Sequence, residues 1–224
     1  YGGGGGDPWE GKTRYGNVNV YYAAMTIERC RITYSARNGL ELDESIAIIR
    51  NCIFSNNGAA DDHYDIWGEL TAWPQVIQGC KFQSNRPYAT SLPADAIASL
   101  QDNTFRPGQR IIIRGSTMQE SGTWRDHGIP YRVTGDLTVA GPSSPVLTLS
   151  PGVTLEFEDR VGFFIGTLDR EGALVADGTT EPITMTSASP QGYVRWAGLS
   201  FDKRAKVADC VIKNVRIGYG GRGY

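Results

Sequence analysis

Carboxylates and a histidine come together at one place in this sequence of 224 residues, Asp61-Asp62-His63-Tyr64-Asp65. Three carboxylates converging on one loop would bind a hard cation such as Ca²⁺ through oxygen, or supply the acid and base that cleave a glycosidic bond. Asp61, Asp62 and Asp65 are therefore the candidate metal ligands and Ca²⁺ the candidate cofactor. The other reading is no cofactor at all, because the EF-hand spacing is absent and surface loops carry polar residues as a rule. Aromatic side chains crowd the same stretch. Tyr64, Trp67, Trp73 and Tyr88 would stack on sugar rings if their faces are open, or pack the loop against its own scaffold if they are not.

Other chemistries lack their patterns. Gly6-Asp7-Pro8-Trp9-Glu10-Gly11-Lys12-Thr13 matches a phosphate loop by letter, but such a loop must open a helix. Asn17-Val18-Asn19-Val20-Tyr21, a few residues further on, is a strand pattern instead, and Pro8 removes an amide that the phosphate cradle would use. No Gly-x-Ser-x-Gly elbow and no Cys-x-x-Cys occurs. With 22 Lys and Arg against 24 Asp and Glu, the net charge of −2 gives no basic stripe for nucleic acid. No stretch approaches the roughly 20 apolar residues that span a bilayer. The first residue is Tyr1 rather than Met, so an upstream or leader segment is expected, and export with it.

The elements that must position these residues show in the cysteines. Ile27-Glu28-Arg29-Cys30-Arg31-Ile32, Ile49-Arg50-Asn51-Cys52-Ile53-Phe54 and Ile77-Gln78-Gly79-Cys80-Lys81-Phe82 share one pattern. Leu100-Gln101-Asp102-Asn103-Thr104-Phe105 repeats it with Asn for Cys, at separations of 22, 28 and 23 residues, and Val207-Ala208-Asp209-Cys210-Val211-Ile212 reads as a late copy. A period in the twenties marks a solenoid whose single coil cannot bury its own apolar face. In each copy the Cys or Asn and the apolar residue two places on share one strand face. Cys30, Cys52, Cys80, Asn103 and Cys210 thus read as one structural ladder, of buried thiols or of disulfides between neighbouring coils. Ser55-Asn56-Asn57-Gly58 and Ser84-Asn85-Arg86-Pro87 supply the corners.

From Ile111 onward the strands remain rich in Val, Ile, Thr and Phe, broken by Gly, Pro and Asp, a pattern that suits a sandwich as well as a solenoid. Tyr131-Arg132-Val133-Thr134-Gly135-Asp136-Leu137, then Leu147-Thr148-Leu149-Ser150-Pro151-Gly152-Val153-Thr154-Leu155-Glu156-Phe157 and Trp196-Ala197-Gly198-Leu199-Ser200-Phe201 resemble the module of bacterial and archaeal right-handed parallel β-helix surface proteins. The resemblance covers almost the whole chain through its Gly, Pro and apolar positions, which carry architecture rather than chemistry. It implies an all-β, right-handed parallel β-helix with coils of roughly 22–28 residues. The alternative is a β-helix whose second half resembles a sandwich. Hydrolases on this fold would bring a Gly-His-Gly motif, whereas His127 sits in Asp126-His127-Gly128. Nothing places a lyase base such as Lys81, Arg110 or Arg114 beside Asp61.

Tyr1-Gly2-Gly3 at one end repeats in Tyr219-Gly220-Gly221 at the other. Residues 1–224 therefore read as one module of a head-to-tail array, with a softer division into 1–110 and 111–224. The expected partner is another copy of the chain, either tandem or as a filament subunit, and no nucleic acid or membrane span is expected. The functional expectation is a structural, extracellular or cell-surface solenoid: a filament unit or adhesin stalk, with enzymatic activity left open. The alternative is a carbohydrate-active β-helix, a polysaccharide lyase, glycoside hydrolase or glycan-binding module.

Overall fold

The structure is a computed structural model and describes residues 16–60, 62–72, 74–190 and 195–221. It is an all-β chain whose strands pair in parallel, coil on coil, as a β-solenoid. The chain divides into two compact units, Tyr1–Ile112 and Ile113–Tyr224.

In the first unit each coil contributes three short strands to three parallel sheets. The first sheet takes Val18–Tyr21, Leu40–Asp43, Ile66–Gly68, Tyr88–Pro93 and Arg110–Arg114 in that order. The second stacks Ala24–Glu28, Ile46–Arg50, Val76–Gln78 and Leu100–Gln101. The third stacks Arg31–Thr33, Ile53–Ser55, Lys81–Phe82 and Thr104–Phe105. A single helical turn, Ala94–Ile97, interrupts the fourth coil.

Register places like on like. Ile27, Ile49, Ile77 and Leu100 face one another down the second sheet, none more than 5% exposed. Ile32, Phe54, Phe82 and Phe105 do the same down the third. The rings of Phe54, Phe82 and Phe105 lie parallel, their centroids 5.2 and 4.7 Å apart, close to the spacing of the strands that carry them.

The repeated segment is not one strand but two strands either side of a corner. Arg29, Asn51, Gly79 and Asp102 occupy the left-handed region at φ of 55°, 53°, 63° and 51°. Asn, Asp and Gly tolerate that backbone best, and one such residue turns the chain from the second sheet into the third. At Gly79 a Cβ would also lie 2.6 Å from Asn51 Oδ1. The corner read from Ser55-Asn56-Asn57-Gly58 is left-handed at Asn56 and Gly58, while Ser84-Asn85-Arg86-Pro87 turns with no residue at positive φ.

The Cys or Asn after the corner has a definite task. The Cys52 thiol shares its one hydrogen between the Arg50 carbonyl of its own coil at 3.2 Å and the Ile27 carbonyl at 3.5 Å, Cys80 likewise between Gln78 at 3.5 Å and Ile49 at 3.9 Å, and the Asn103 amide donates to Ile77 at 2.7 Å. Ile27, Ile49 and Ile77 each lie in the coil before, at the same position of the repeat. Asn103 Oδ1 also accepts the Cys80 amide at 2.9 Å. Thiol and carboxamide are thus interchangeable here because both are short donors. Cys52 and Cys80 are buried, Cys30 is exposed on the first described coil, and all four cysteines are free.

Cys210 does not belong to this ladder. Val207–Asp209 is a 3₁₀ turn, Asp209 is not left-handed, and Val211–Lys213 pairs with Ala173–Asp177 in the second unit. The letters match, but the corner that defines the rung is missing.

The second unit is also parallel, which rules out the sandwich reading of this half: sandwich sheets pair antiparallel. Ser116–Met118, Leu137–Val139, Gly162–Ile165 and Gly198–Phe201 form one sheet; Gly122–Trp124, Val146–Leu149, Ala173–Asp177 and Val211–Lys213 form another. Tyr131–Val133, Thr154–Phe157, Ile183–Ser187 and Val215–Ile217 stack in the third direction. Trp196 is wholly buried, its ring 4.3 Å from that of Phe157 and its indole N–H donating to the Gly218 carbonyl at 2.8 Å.

Replacing Asn103 by Ala removes the partners of the Ile77 carbonyl and the Cys80 amide, at an expected cost of about 1–3 kcal/mol. Asn103→Cys restores the donor and should recover part of the loss. Urea unfolding of the three proteins checks this, and equal stabilities for Asn103→Ala and the parent chain would remove the capping role.

Candidate functional site

The acidic stretch leaves the corner at Asn57-Gly58 and re-enters the first sheet at Ile66. His63 closes it locally: its Nδ1 accepts the Ala59 and Ala60 amides at 3.3 and 3.2 Å. Its Nε2 lies 3.7 Å from Asp62, whose side chain is 84% exposed. Asp65 points the opposite way and is only 1% exposed. Asp62 and Asp65 are thus not brought together: Asp65 is buried where the chain enters the sheet, while Asp62 stays on the loop. Asp61 lies outside the described residues. Among the described residues no three His, Cys, Asp or Glu side chains are grouped to hold a metal ion.

Asp65 instead anchors a buried polar cluster. Its Oδ1 accepts the Ser84 hydroxyl at 2.5 Å and the Asn57 amide at 2.9 Å, while Oδ2 is buried without a partner. Asn57 extends the chain of bonds: its side chain donates to the Ile32 carbonyl at 2.9 Å and accepts the Ser35 amide at 3.1 Å. Its own amide donates to Ser84 Oγ at 2.9 Å. Gln109 donates to the Ser84 carbonyl at 3.1 Å. One polar side chain per coil thus satisfies backbone groups left over where the chain swings from the third sheet back to the first. Burial pushes the Asp65 carboxyl up from its ordinary 3.8 to about 6, and the bonds from Ser84 and Asn57 pull it only partly back.

The aromatic residues are partly brought together. Tyr64 and Tyr88 sit on adjacent coils with ring centroids 6.4 Å apart and planes tilted by 34°. Trp67 stands on the strand that follows Tyr64, opposite Glu41 on one side and Ser91 on the other. All three are half-buried. Trp73 lies outside the described residues.

Of the two matching ends, Tyr1, Gly2 and Gly3 lie outside the described residues. Tyr219 is left-handed at φ 58° and half exposed, with the Arg195 guanidinium 5.4 Å from its ring centroid. A Cβ on Gly220 would lie 3.1 Å from the Trp196 indole nitrogen. The glycines thus let the chain pass close to the buried Trp196; Gly221 is exposed at φ 89°.

The second unit holds an acidic pair that reading along the chain does not reveal. The carboxylates of Asp126 and Glu181 lie within 3.0 and 2.8 Å of the point where a Cβ on Gly152 would sit. They face a cleft of about 250 Å³ lined also by Ile129, Pro130 and Thr154. Each residue is about one coil from the next, so alignment by coil period, rather than a search for local motifs, was the signal that could have found them.

No family model, curated protein or solved structure matches this chain. No described helix is long and apolar enough to cross a membrane.

The Asp65 carboxyl has its folded pKa raised, so its contribution to stability is complete below pH 4, falls as pH rises to about 6, and is lost above that. Asp65→Asn keeps the acceptor and removes the charge. Relative to the parent chain, the variant should gain about 2–3 kcal/mol between pH 4 and pH 7.5. Denaturant titrations at both pH values measure this; parallel stabilities of the two proteins would show that Asp65 ionises freely.

Proposed function

We propose that this chain is a structural β-solenoid module of an extracellular or cell-surface protein, resembling the right-handed parallel β-helix surface proteins, and that copies extend it end to end. The observation that carries the reading is the last described coil. Phe201, Ile212 and Ile217 stand in register with Ile165, Ala176 and Met185. Those three are fully buried, whereas Phe201, Ile212 and Ile217 are 40%, 45% and 49% exposed. Apolar side chains at ladder positions, on strands whose outer edge has no partner among the described residues, are what a further coil would cover. A second copy supplies such a coil, and because the two faces in contact differ, the contact repeats without closing.

Light scattering and negative-stain microscopy across a concentration series test the reading. Rods that lengthen with concentration are expected, and Ile212→Lys with Ile217→Lys should keep the chain as single particles while circular dichroism retains the β signal. Single particles of the parent chain at the highest concentration would overturn it.

The Tyr64 and Tyr88 pair favours a second reading, a glycan-binding face on the first sheet, because two rings on adjacent coils offer a ladder of stacking surfaces. Soluble acidic polysaccharide should then change the tryptophan fluorescence of the parent chain, and Tyr88→Ala should weaken the change at least tenfold. An unchanged spectrum at saturating polysaccharide would dismiss this reading.

A further inference from the structure

The thiols of the first unit are more than packing. Glu28 stands opposite Arg50 in the second sheet, and Arg31 stands opposite Ile53 in the third. Between those pairs Cys30 lies directly over Cys52. The two thiols point the same way: Cys30 Sγ donates to the Glu28 carbonyl at 3.3 Å, and Cys52 Sγ to the equivalent Arg50 carbonyl at 3.2 Å. Adjacent parallel strands set their Cα atoms about 4.8 Å apart, inside the range of about 4.4–6.8 Å that a disulfide bridges. Cys30 is exposed on the first described coil, whereas Cys52 and Cys80 beneath it are buried. In the single, unassembled chain an oxidant therefore reaches the ladder at Cys30.

We propose that Cys30 and Cys52 form a reversible redox pair, which a small-molecule disulfide such as oxidised glutathione converts into a bond between the first two described coils. In the first step the Cys30 thiolate attacks one sulfur of the oxidant, forming a mixed disulfide and releasing one reduced thiol; the Cys30 proton goes to solvent and then to that leaving group. In the second step Cys52 gives up its proton and attacks the Cys30 sulfur, breaking the mixed disulfide and expelling the second reduced thiol. Two protein thiols are oxidised and one exogenous disulfide is reduced to two thiols, so electrons and protons balance.

Two physical features shape the reaction. Side chains stacked in register hold their Cβ atoms at nearly the strand spacing, wider than the 3.5–4.5 Å usual for a disulfide, so the bond is strained and easily reduced. Burial also holds the Cys52 thiol above its ordinary pKa, so the second step speeds up as pH rises. The consequence is mechanical: the coil that carries Cys30 is tied to the coil that carries Cys52, which suppresses its local opening.

The test is incubation of the native chain with oxidised glutathione, followed by thiol counting, peptide mapping without reduction and hydrogen exchange. The expected result is loss of two thiols, a cross-linked peptide joining Cys30 to Cys52 with two hydrogens fewer, and at least tenfold slower exchange in Ala24–Glu28. Cys52→Ser should halt at a glutathione adduct on Cys30, and Cys30→Ser should leave Cys52 and Cys80 unmodified. Dithiothreitol should restore the thiols of the parent chain. The proposal is overturned if the parent chain halts at the Cys30 adduct as Cys52→Ser does, if Cys52 links to Cys80 instead, or if no thiol is lost.

Discussion

Hydrogen bonds between successive coils all run in one direction, along the stack, and this obliges every coil to return to the position of the one before it. Whatever side chain stands at a given point then lies about 4.8 Å from its counterpart above and below. Apolar residues satisfy that constraint without cost, which is why Ile27, Ile49, Ile77 and Leu100 form one buried column. Rings satisfy it only when parallel, and those of Phe54, Phe82 and Phe105 are, with 5° between the planes of each neighbouring pair.

Polar groups meet the same constraint at the corners, where the backbone leaves the sheets. A carbonyl that the turn frees in each coil must find a donor in the next. In the turn from the second sheet to the third the donor is Cys52, Cys80 or Asn103, one residue after the left-handed position. In the turn back to the first sheet Asn57 and Ser84 act through the buried Asp65. The carboxylate is thus part of the scaffold, and its charge conflicts with the burial the scaffold imposes. That conflict is the source of its raised pKa.

The solenoid was legible because its constraint is periodic. A Cys or Asn at intervals of 22, 28 and 23 residues, each followed two places on by Ile or Phe, reports the stack directly. The corner inside that segment left only a faint mark: Arg29 and Asn51 each follow a second polar residue, Glu28 and Arg50, which breaks the period of two, and their positive φ is what separates two strands from one. Cys210 misled for the same reason: letters repeat there without the backbone conformation that gives them meaning. The Asp61 to Asp65 stretch looked like a ligand loop because sequence proximity says nothing about direction, and Asp62 and Asp65 face opposite ways.

By itself, then, the sequence determined the class of structure, its coil length and the identity of the stacked residues, because these follow from local spacing and from the need of each coil to bury one face. Tertiary structure alone decided which polar residues meet. Asp65 finds Ser84 across 19 residues, and Asp126 and Glu181 meet at Gly152, only after the chain has completed a coil between them. The length of each corner and loop sets where the next coil begins, and that sum over many residues is not written in any one of them.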